Sequence, residues 1–268
     1  MDKTLAKGMA VLEYLVEQAR PCGVSDVARA LDLAASNAHR TLQSLVALGY
    51  VRRSPDARYA PSLRLFELGS RVVGGLDVKQ VARAELAGLA QETEETIHLA
   101  VLDGAEVIYL DKIDSPQPVA AYSRIGGRAP AQCVATGKVL LAQALPDPER
   151  AEAWLASVIP ELPPHTRYSH RSYRGLLEDL QAVRVQGHAL NRGEWREGVS
   201  GLGAPVFDGQ GTAVAALGMS LPSVRFTPQR VPVLAELLRA AAARASAALG
   251  YGPASAPRAQ TRRTAQAT

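Results

Sequence analysis

Long apolar runs and cysteine are what this sequence lacks. No stretch of its 268 residues reaches the roughly 18 unbroken apolar positions that a membrane span requires. The opening Met1-Asp2-Lys3-Thr4-Leu5 lacks the basic-then-apolar layout of a secretory leader, so a cytoplasmic location without membrane contact is expected. There are only two cysteines, Cys22 and Cys133, assigned below to different domains, and two thiols suit a reducing compartment better than a disulfide. Neither belongs to a CxxC or HxxxH pattern, so no structural zinc is expected. Phosphate loops are missing too. Thr136-Gly137-Lys138-Val139 has the end of one, but Gln132 stands where a glycine is required and Val139 where Ser or Thr is. Gly198, Gly201 and Gly203 miss the GxGxxG spacing. No nucleophile, base and orienting group can be assembled, so neither a catalytic set, a metal nor a cofactor is expected.

Charge is a weaker guide than it looks. The formal net charge is +4, but residues 251–268 carry Arg258, Arg262 and Arg263 and no acid, which leaves the rest nearly neutral. That Pro-, Ala-, Ser- and Arg-rich segment is expected to be a disordered basic tail.

Helical periodicity opens the chain. Leu5, Met9, Leu12, Leu15 and Val16 fall on one face of a helix over about 4–19, which ends at Pro21-Cys22-Gly23. Ser25 can cap a second helix with Val27, Ala28 and Leu31 inward. A turn at Asp32-Leu33-Ala34 leads to a third helix, about 36–48, with Ala38, Leu42, Leu45 and Val46 inward. Two short strands, 50–53 and 58–61, follow. This order is that of a winged helix-turn-helix, expected over 1–62. Leu63, Leu65, Phe66, Leu68, Val72 and Val73 are too many apolar groups for one helix face, so 63–78 is expected to be a linker helix that dimerises with a second copy.

From about 79 to 250 the pattern changes. Alternating runs at 96–102 and 106–111 flank Asp103-Gly104, and runs at 199–207 and 212–221 flank Asp208-Gly209-Gln210-Gly211, two hairpin signatures. Helical stretches lie near 77–92, 131–143, 147–158, 172–186 and 228–249. Hairpins with helices gathered around them predict an α+β domain, giving a multidomain protein with a mainly α N-terminal part.

The third helix carries the chemistry. Ser36, Asn37, His39, Arg40, Gln43 and Ser44 line the side opposite its apolar stripe. Asn can read adenine and Arg guanine bidentately in a major groove. Phosphate contacts would come from Ser25, Thr41 and the wing residues Arg52, Arg53 and Arg58. The partner implied is double-stranded operator DNA. In the second domain, Gly126-Gly127-Arg128-Ala129-Pro130 opening into a helix would offer free amides to a carboxylate. The hairpins would add an apolar wall with Ser200 and Ser220, suited to a small organic ligand.

TLAKGMAVLEYLVE (4–17) and SNAHRTLQSLVALGYVRR (36–53) resemble the N-terminal domain of the IclR family of bacterial regulators. RIGGRAPAQCVATGKVLLA (124–142), EWREGVSGLGAPVFDGQG (194–211) and LGMSLPSVRF (217–226) resemble that family's sensor segments. The resemblance implies a GAF-like effector-binding domain that takes small organic acids, aromatic and keto acids among them, and a homodimer or dimer of dimers acting as repressor or activator. Carried over position by position, it implies effector contacts at Ala121, Ala129, Ala135, Thr136, Asn191, Val199, Gly201, Gly218 and Ser220. Most are small, which leaves volume for an acid larger than two or three carbons, an aromatic acid being the class expected. The chain departs from the family at Gln132, where His is common, at Val134, where Ser or Thr is, and at Asn191, where an acidic residue can occur, so the effector does not transfer.

Two other readings stay open: a GAF-like thiol enzyme built on Cys133, and a helix-turn-helix module that binds protein instead of DNA. Cys133 is otherwise expected to be a small buried hydrophobe, His98 and His188 core or rim residues, His165 and His170 solvated, and Glu92, Glu94 and Glu95 a solvated helix end.

Overall fold

The computed structural model describes residues 2–18, 20–74, 77–121 and 123–252, with backbone alone for 70–74 and 77. The chain divides into two compact units, one ending at Gly75 and the other beginning at Leu76.

The first unit runs α1 (Lys3–Glu17), α2 (Val24–Ala30), α3 (Ala35–Ala47), β1 (Val51–Arg53), β2 (Tyr59–Pro61) and α4 (Arg64–Gly74). Its core is Val11, Leu12 and Leu15 of α1, Val27 of α2, Ala38, Leu42 and Leu45 of α3, and Val51 and Tyr59 of the wing. The α1 stripe is narrower than its periodicity predicts: Leu5, Met9 and Val16 stay exposed. Asp2 caps α1 by accepting from Thr4 N at 2.7 Å. Gly23, not Ser25, is the N-cap of α2; Asp26, three residues on, accepts from the Gly23 N–H at 2.9 Å. β1 and β2 pair antiparallel, Arg52 opposite Ala60. Cys22 and Tyr59 exchange backbone hydrogen bonds at 2.8 Å in both directions, which fastens the turn before α2 to the wing. Leu65 of α4 packs on this core, while Phe66 of α4 and Leu63 just before it are 71% and 80% exposed. Val72 and Val73, counted among the dimerising residues, lie outside the described side chains.

The second unit is an antiparallel six-stranded sheet between helices. In chain order come α5 (Asp77–Thr93), β3 (Thr96–Asp103), β4 (Glu106–Ile113), β5 (Arg128–Pro130), a 3-10 turn (Ala131–Cys133), α6 (Ala135–Ala144), α7 (Pro148–Val158), α8 (Tyr173–Gln186), β6 (Ala189–Arg192), β7 (Val199–Phe207), β8 (Ala213–Pro222), a second 3-10 turn (Ser223–Arg225) and α9 (Arg230–Ala248). The strand order is β5-β4-β3-β8-β7-β6. The first hairpin turns one residue later than Asp103-Gly104 predicts. Asp103 still pairs with Glu106, and Gly104, at φ 59°, with Ala105 makes the loop.

Strand alternation sorts side chains onto two faces. Ile97, Leu99, Leu202, Ala204, Leu217 and Met219 pack against α5 and α9 through Leu86, Leu89, Leu238 and Ala241. The opposite face is small and carries α6, outside which lie α7 and α8: Ala100, Ala216 and Ala189 meet Val139, Leu140, Leu176 and Leu180. Close approach here requires glycine. A Cβ at Gly203 would sit 2.6 Å from the Ala135 carbonyl group, and one at Gly137 would collide with the backbone of Ala131.

Three expectations need correction. The helix after Pro130 does not begin there: Arg128–Pro130 is an edge strand on β4, and α6 starts only at Ala135, with its first turn packed on β7. The Glu92–Glu95 run is not all solvated. Glu95 is 1% exposed and binds Arg225 at 2.9 Å and Arg230 at 3.2 Å, two cations distant in sequence that offset its burial. Of the expected tail, Tyr251 is packed, stacking on Phe207 with ring centroids 5.0 Å apart; residues 253–268 lie outside those described. Among the described residues no helix is long and apolar enough to cross a membrane.

Candidate functional site

In the first unit, burying Ala38, Leu42 and Leu45 turns the other side of α3 outward. Ser36, His39, Arg40 and Ser44 are exposed, and Asn37, Thr41 and Gln43 are half-buried. Arg40 Nη2 donates to Asn37 Oδ1 at 2.5 Å, so the two residues expected to read bases stand side by side one turn apart. Gln43 is less free: its Nε2 donates to the Tyr59 hydroxyl at 3.0 Å, tying α3 to the wing. Arg52, Arg53 and Arg58 are all exposed on or beside the wing strands, and Ser25 is exposed in the first turn of α2. Arg58 faces Asp56 at 3.6 Å and donates to the Pro21 carbonyl at 3.3 Å, which holds the wing tip against the turn before α2.

In the second unit, a cavity of about 610 Å³ opens on the sheet face that carries α6. Four of the effector positions line it: Ala121, Asn191, Val199 and Ser220. The pairing explains why. Asn191 lies opposite Gly201 and Gly201 opposite Ser220, so these residues share a face across β6, β7 and β8. The other five are not among the lining residues. Gly201 backs onto Ser220, Gly218 is overlain by His98 and Thr136, Ala135 packs on Gly203, and Ala129 is buried on β5. Ser200 is one residue out of phase with that face and bonds Ser223 at 2.8 Å instead, so it does not belong to the wall expected of it.

Several lining residues are not among the contacts expected from the sequence. Tyr109 comes from β4, Trp195 and Arg196 from the loop before β7, and Ser123 and Arg124 from the segment before β5. Among the described lining residues the only charged side chains are Arg124, Arg128 and Arg196; no carboxylate is present. Arg128 is neutralised by Asp103 at 2.6 Å and Glu106 at 3.1 Å. Arg124 and Arg196 form no ion pair among the described residues, so the cavity keeps a positive field suited to an anion. Burial pushes the Tyr109 phenol up to about 12, which keeps it a neutral donor.

A buried ion cluster braces one wall. Lys138 of α6 is 1% exposed; its Nζ donates to Asp179 at 2.8 Å and Glu194 at 2.9 Å. Glu194 N donates to Asn191 Oδ1 at 2.9 Å, so Lys138 fixes the loop that presents Asn191 and Trp195. His170 Nε2 reaches Asp179 at 3.1 Å, so His170 is not merely solvated as expected; His165 is exposed, as expected, and packs edge-on against Trp195. Burial would raise the Asp179 carboxyl, but the His170 hydrogen bond and Lys138 bring it down to about 2. His170, Asp179 and Glu194 converge closely enough to suggest a metal site, yet the point between the two carboxylates is filled by the Lys138 ammonium. Cys133 is buried, and desolvation first, then Glu194, pushes its thiol up to about 11, the reverse of an activated nucleophile.

Residues 4–55 match the IclR helix-turn-helix domain, and residues 70–247 match the C-terminal domain of the bacterial transcriptional regulator IclR. This chain belongs to the IclR family. It is 35% identical over 249 residues to the HTH-type transcriptional regulator KdgR of Escherichia coli K12, covering 92% of this chain and 93% of that one. The Thermotoga maritima IclR structure is similar with a TM-score of 0.79 at 31% identity, over 94% of this chain and 100% of that chain. An IclR homologue from Microbacterium hydrocarbonoxydans, solved in complex with 4-hydroxybenzoate, is similar with a TM-score of 0.79 at 27% identity, over 92% and 99% of the two chains. This IclR-family chain is therefore an HTH-type transcriptional regulator.

Proposed function

We propose that this regulator binds operator DNA as a dimer through α3 and the wing, and that an organic acid of more than three carbons, an aromatic acid being the leading class, binds the second unit and changes operator affinity. The observation that carries the effector half is the cavity of about 610 Å³ whose charged lining side chains are arginines without a carboxylate among them. Its volume exceeds the need of a two- or three-carbon acid, and the relative solved with 4-hydroxybenzoate supports an aromatic acid.

On α3, Asn37 and Arg40 would read base edges, with Ser36, His39 and Gln43 beside them. Ser25, Thr41, Arg52, Arg53 and Arg58 would hold phosphates. Dimerisation places two such helices on two half-sites. The exposed Leu5 and Met9 of α1, Leu63 just before α4 and Phe66 of α4 supply the apolar surface for it, within the same unit as the reading helix. Ala121, Asn191, Val199 and Ser220 would contact the acid directly, while Ala129, Ala135, Gly201 and Gly218 shape the surrounding wall and Thr136 lies deeper, at the start of α6. An acid that binds DNA-competent and incompetent states unequally shifts the equilibrium by that difference alone.

The test is operator capture from genomic fragments followed by anisotropy titrations over a range of salt, with and without acids. Phosphate contacts make log affinity fall steeply with log salt. Benzoate-sized acids should raise the melting temperature and alter operator affinity. A response to glyoxylate or pyruvate but not to benzoates would refute the larger-acid reading, and indifference to every fragment at low salt would refute operator binding.

A further inference from the structure

The sheet face under the cavity carries buried polar groups that the protein leaves without partners. His98 of β3 lies opposite Gly218 of β8 and packs edge-on against the cavity-lining Tyr109, ring centroids 4.9 Å apart. His98 is 3% exposed, and Thr136, in the first turn of α6, is fully buried. A side chain at position 218 would strike the Nε2 edge of the His98 ring and the Thr136 methyl, so the absence of one there is what lets these two residues lie side by side. Among the described residues, His98 Nδ1 and Thr136 Oγ1 have no hydrogen-bond partner, and neither does Ser123 Oγ at the cavity wall. Buried polar atoms are nearly always bonded, and an unmet donor or acceptor carries its full desolvation penalty. Several unmet atoms in one neighbourhood point to a ligand that completes them.

The kind of ligand follows from the groups. Desolvation first, then Lys112, holds the His98 imidazole down to about 4, so at neutral pH the ring is uncharged. An uncharged imidazole offers one donor and one acceptor nitrogen, and the threonine hydroxyl can act either way. A carboxylate would find no cation in this pair. The uncommitted cations, Arg124 and Arg196, are exposed and line the cavity. A hydroxyl, which both gives and takes a hydrogen bond, suits His98 and Thr136 instead.

We infer that His98 and Thr136 form the deep end of the effector site and read a hydroxyl group, on an acid whose carboxylate is held by Arg124 and Arg196. The inference rests on the effector reading above, and adds to it a specificity residue, His98, and a ligand class, acids hydroxylated away from the carboxylate.

The experiment is calorimetric titration of the full chain with matched acids: 4-hydroxybenzoate against benzoate, and 6-hydroxyhexanoate against hexanoate. In one pair the hydroxylated acid should bind about tenfold or more tighter, because a site built for a hydroxyl rejects the analogue that lacks it. The pair that discriminates tells an aromatic from an aliphatic carbon frame. Thr136→Val, which keeps the shape of the side chain, and His98→Phe should each shrink that preference to about threefold or less, while Thr136→Ser keeps it. Equal binding of both members in both pairs, binding of neither, or a preference that survives Thr136→Val and His98→Phe would overturn the inference. Operator affinity is measured separately. Hydroxyl discrimination without operator binding would sink the regulator reading alone, and an operator response that is alike for the two members of each pair would sink this inference alone.

Discussion

Lys138→Met removes the cation from a site where two carboxylates depend on it. In the native protein the Lys138 ammonium lies 2.8 Å from Asp179 and 2.9 Å from Glu194, with the Glu194 side chain 9% exposed and that of Asp179 30%. Deleting one partner of a buried pair costs about 3–5 kcal/mol, because the remaining charge stays desolvated. Asp179 retains His170 and some water, so the lower end, about 3 kcal/mol, is expected here. For a unit of this size that is a fall in melting temperature of roughly 6–12 °C. Differential scanning calorimetry or urea unfolding of the full chain reads it directly. The triple variant Lys138→Met, Asp179→Asn, Glu194→Gln carries no stranded charge and should recover most of the loss. Because Glu194 positions Asn191 and Trp195, the single variant should also weaken acid binding by more than its stability deficit explains when measured well below its melting temperature. A single variant melting within about 2 °C of the native protein, which is under about 1 kcal/mol, or a triple variant no better than the single, would refute the reasoning.

Arg40→Ala should cost about 1–3 kcal/mol at one base position if Arg40 reads a base edge; uniform weakening on all sequences would make it a phosphate contact. Stability should fall on acidification between about pH 6.5 and 4, because His98 is depressed to about 4 in the folded protein. Over that window the unfolded chain binds the proton that the folded one refuses, at up to about 1.4 kcal/mol per pH unit. His98→Phe should flatten this slope in urea titrations, and an unchanged slope would count against a neutral buried imidazole. Gly203→Ala should destabilise by about 1–3 kcal/mol or more, since its methyl would meet the backbone of α6 rather than a movable side chain. Equilibrium unfolding checks it, and a neutral result would mean that α6 does not seat on β7 so closely.

How much could be read in advance varies by element. The third helix was legible because Ala38, Leu42 and Leu45 repeat at helical spacing and all three are buried. The two hairpins were legible from Asp and Gly between alternating runs, although Gly104-Ala105 rather than Asp103-Gly104 makes the first loop. The four-residue or shorter strands β5 and β6 were not, because each is defined by the neighbour it pairs with rather than by its own pattern. Leu5, Met9 and Val16 look like core in a helical wheel, yet the unit beneath α1 is too small to cover them. In the cavity, Asn191, Val199 and Ser220 were reached through the family resemblance; Trp195 and Arg196 stand in one of its segments, 194–211, without being singled out there, and Tyr109 lies on a strand whose local sequence says nothing of a site.

Local chemistry in the chain determined the two-part organisation, the helix-turn-helix with its wing, and the polar face of α3, because periodicity, capping and turn residues act over a few positions. Tertiary structure alone decided what lies opposite what. Register places Ser220 in the cavity and Ser200 on the far face. Folding brings Arg225 and Arg230 to a buried Glu95, and Asp179 and Glu194 to a buried Lys138, that in sequence look like solvated charge. The energy of a buried charge or an unmet hydroxyl depends on neighbours many residues away, and only the folded chain names them.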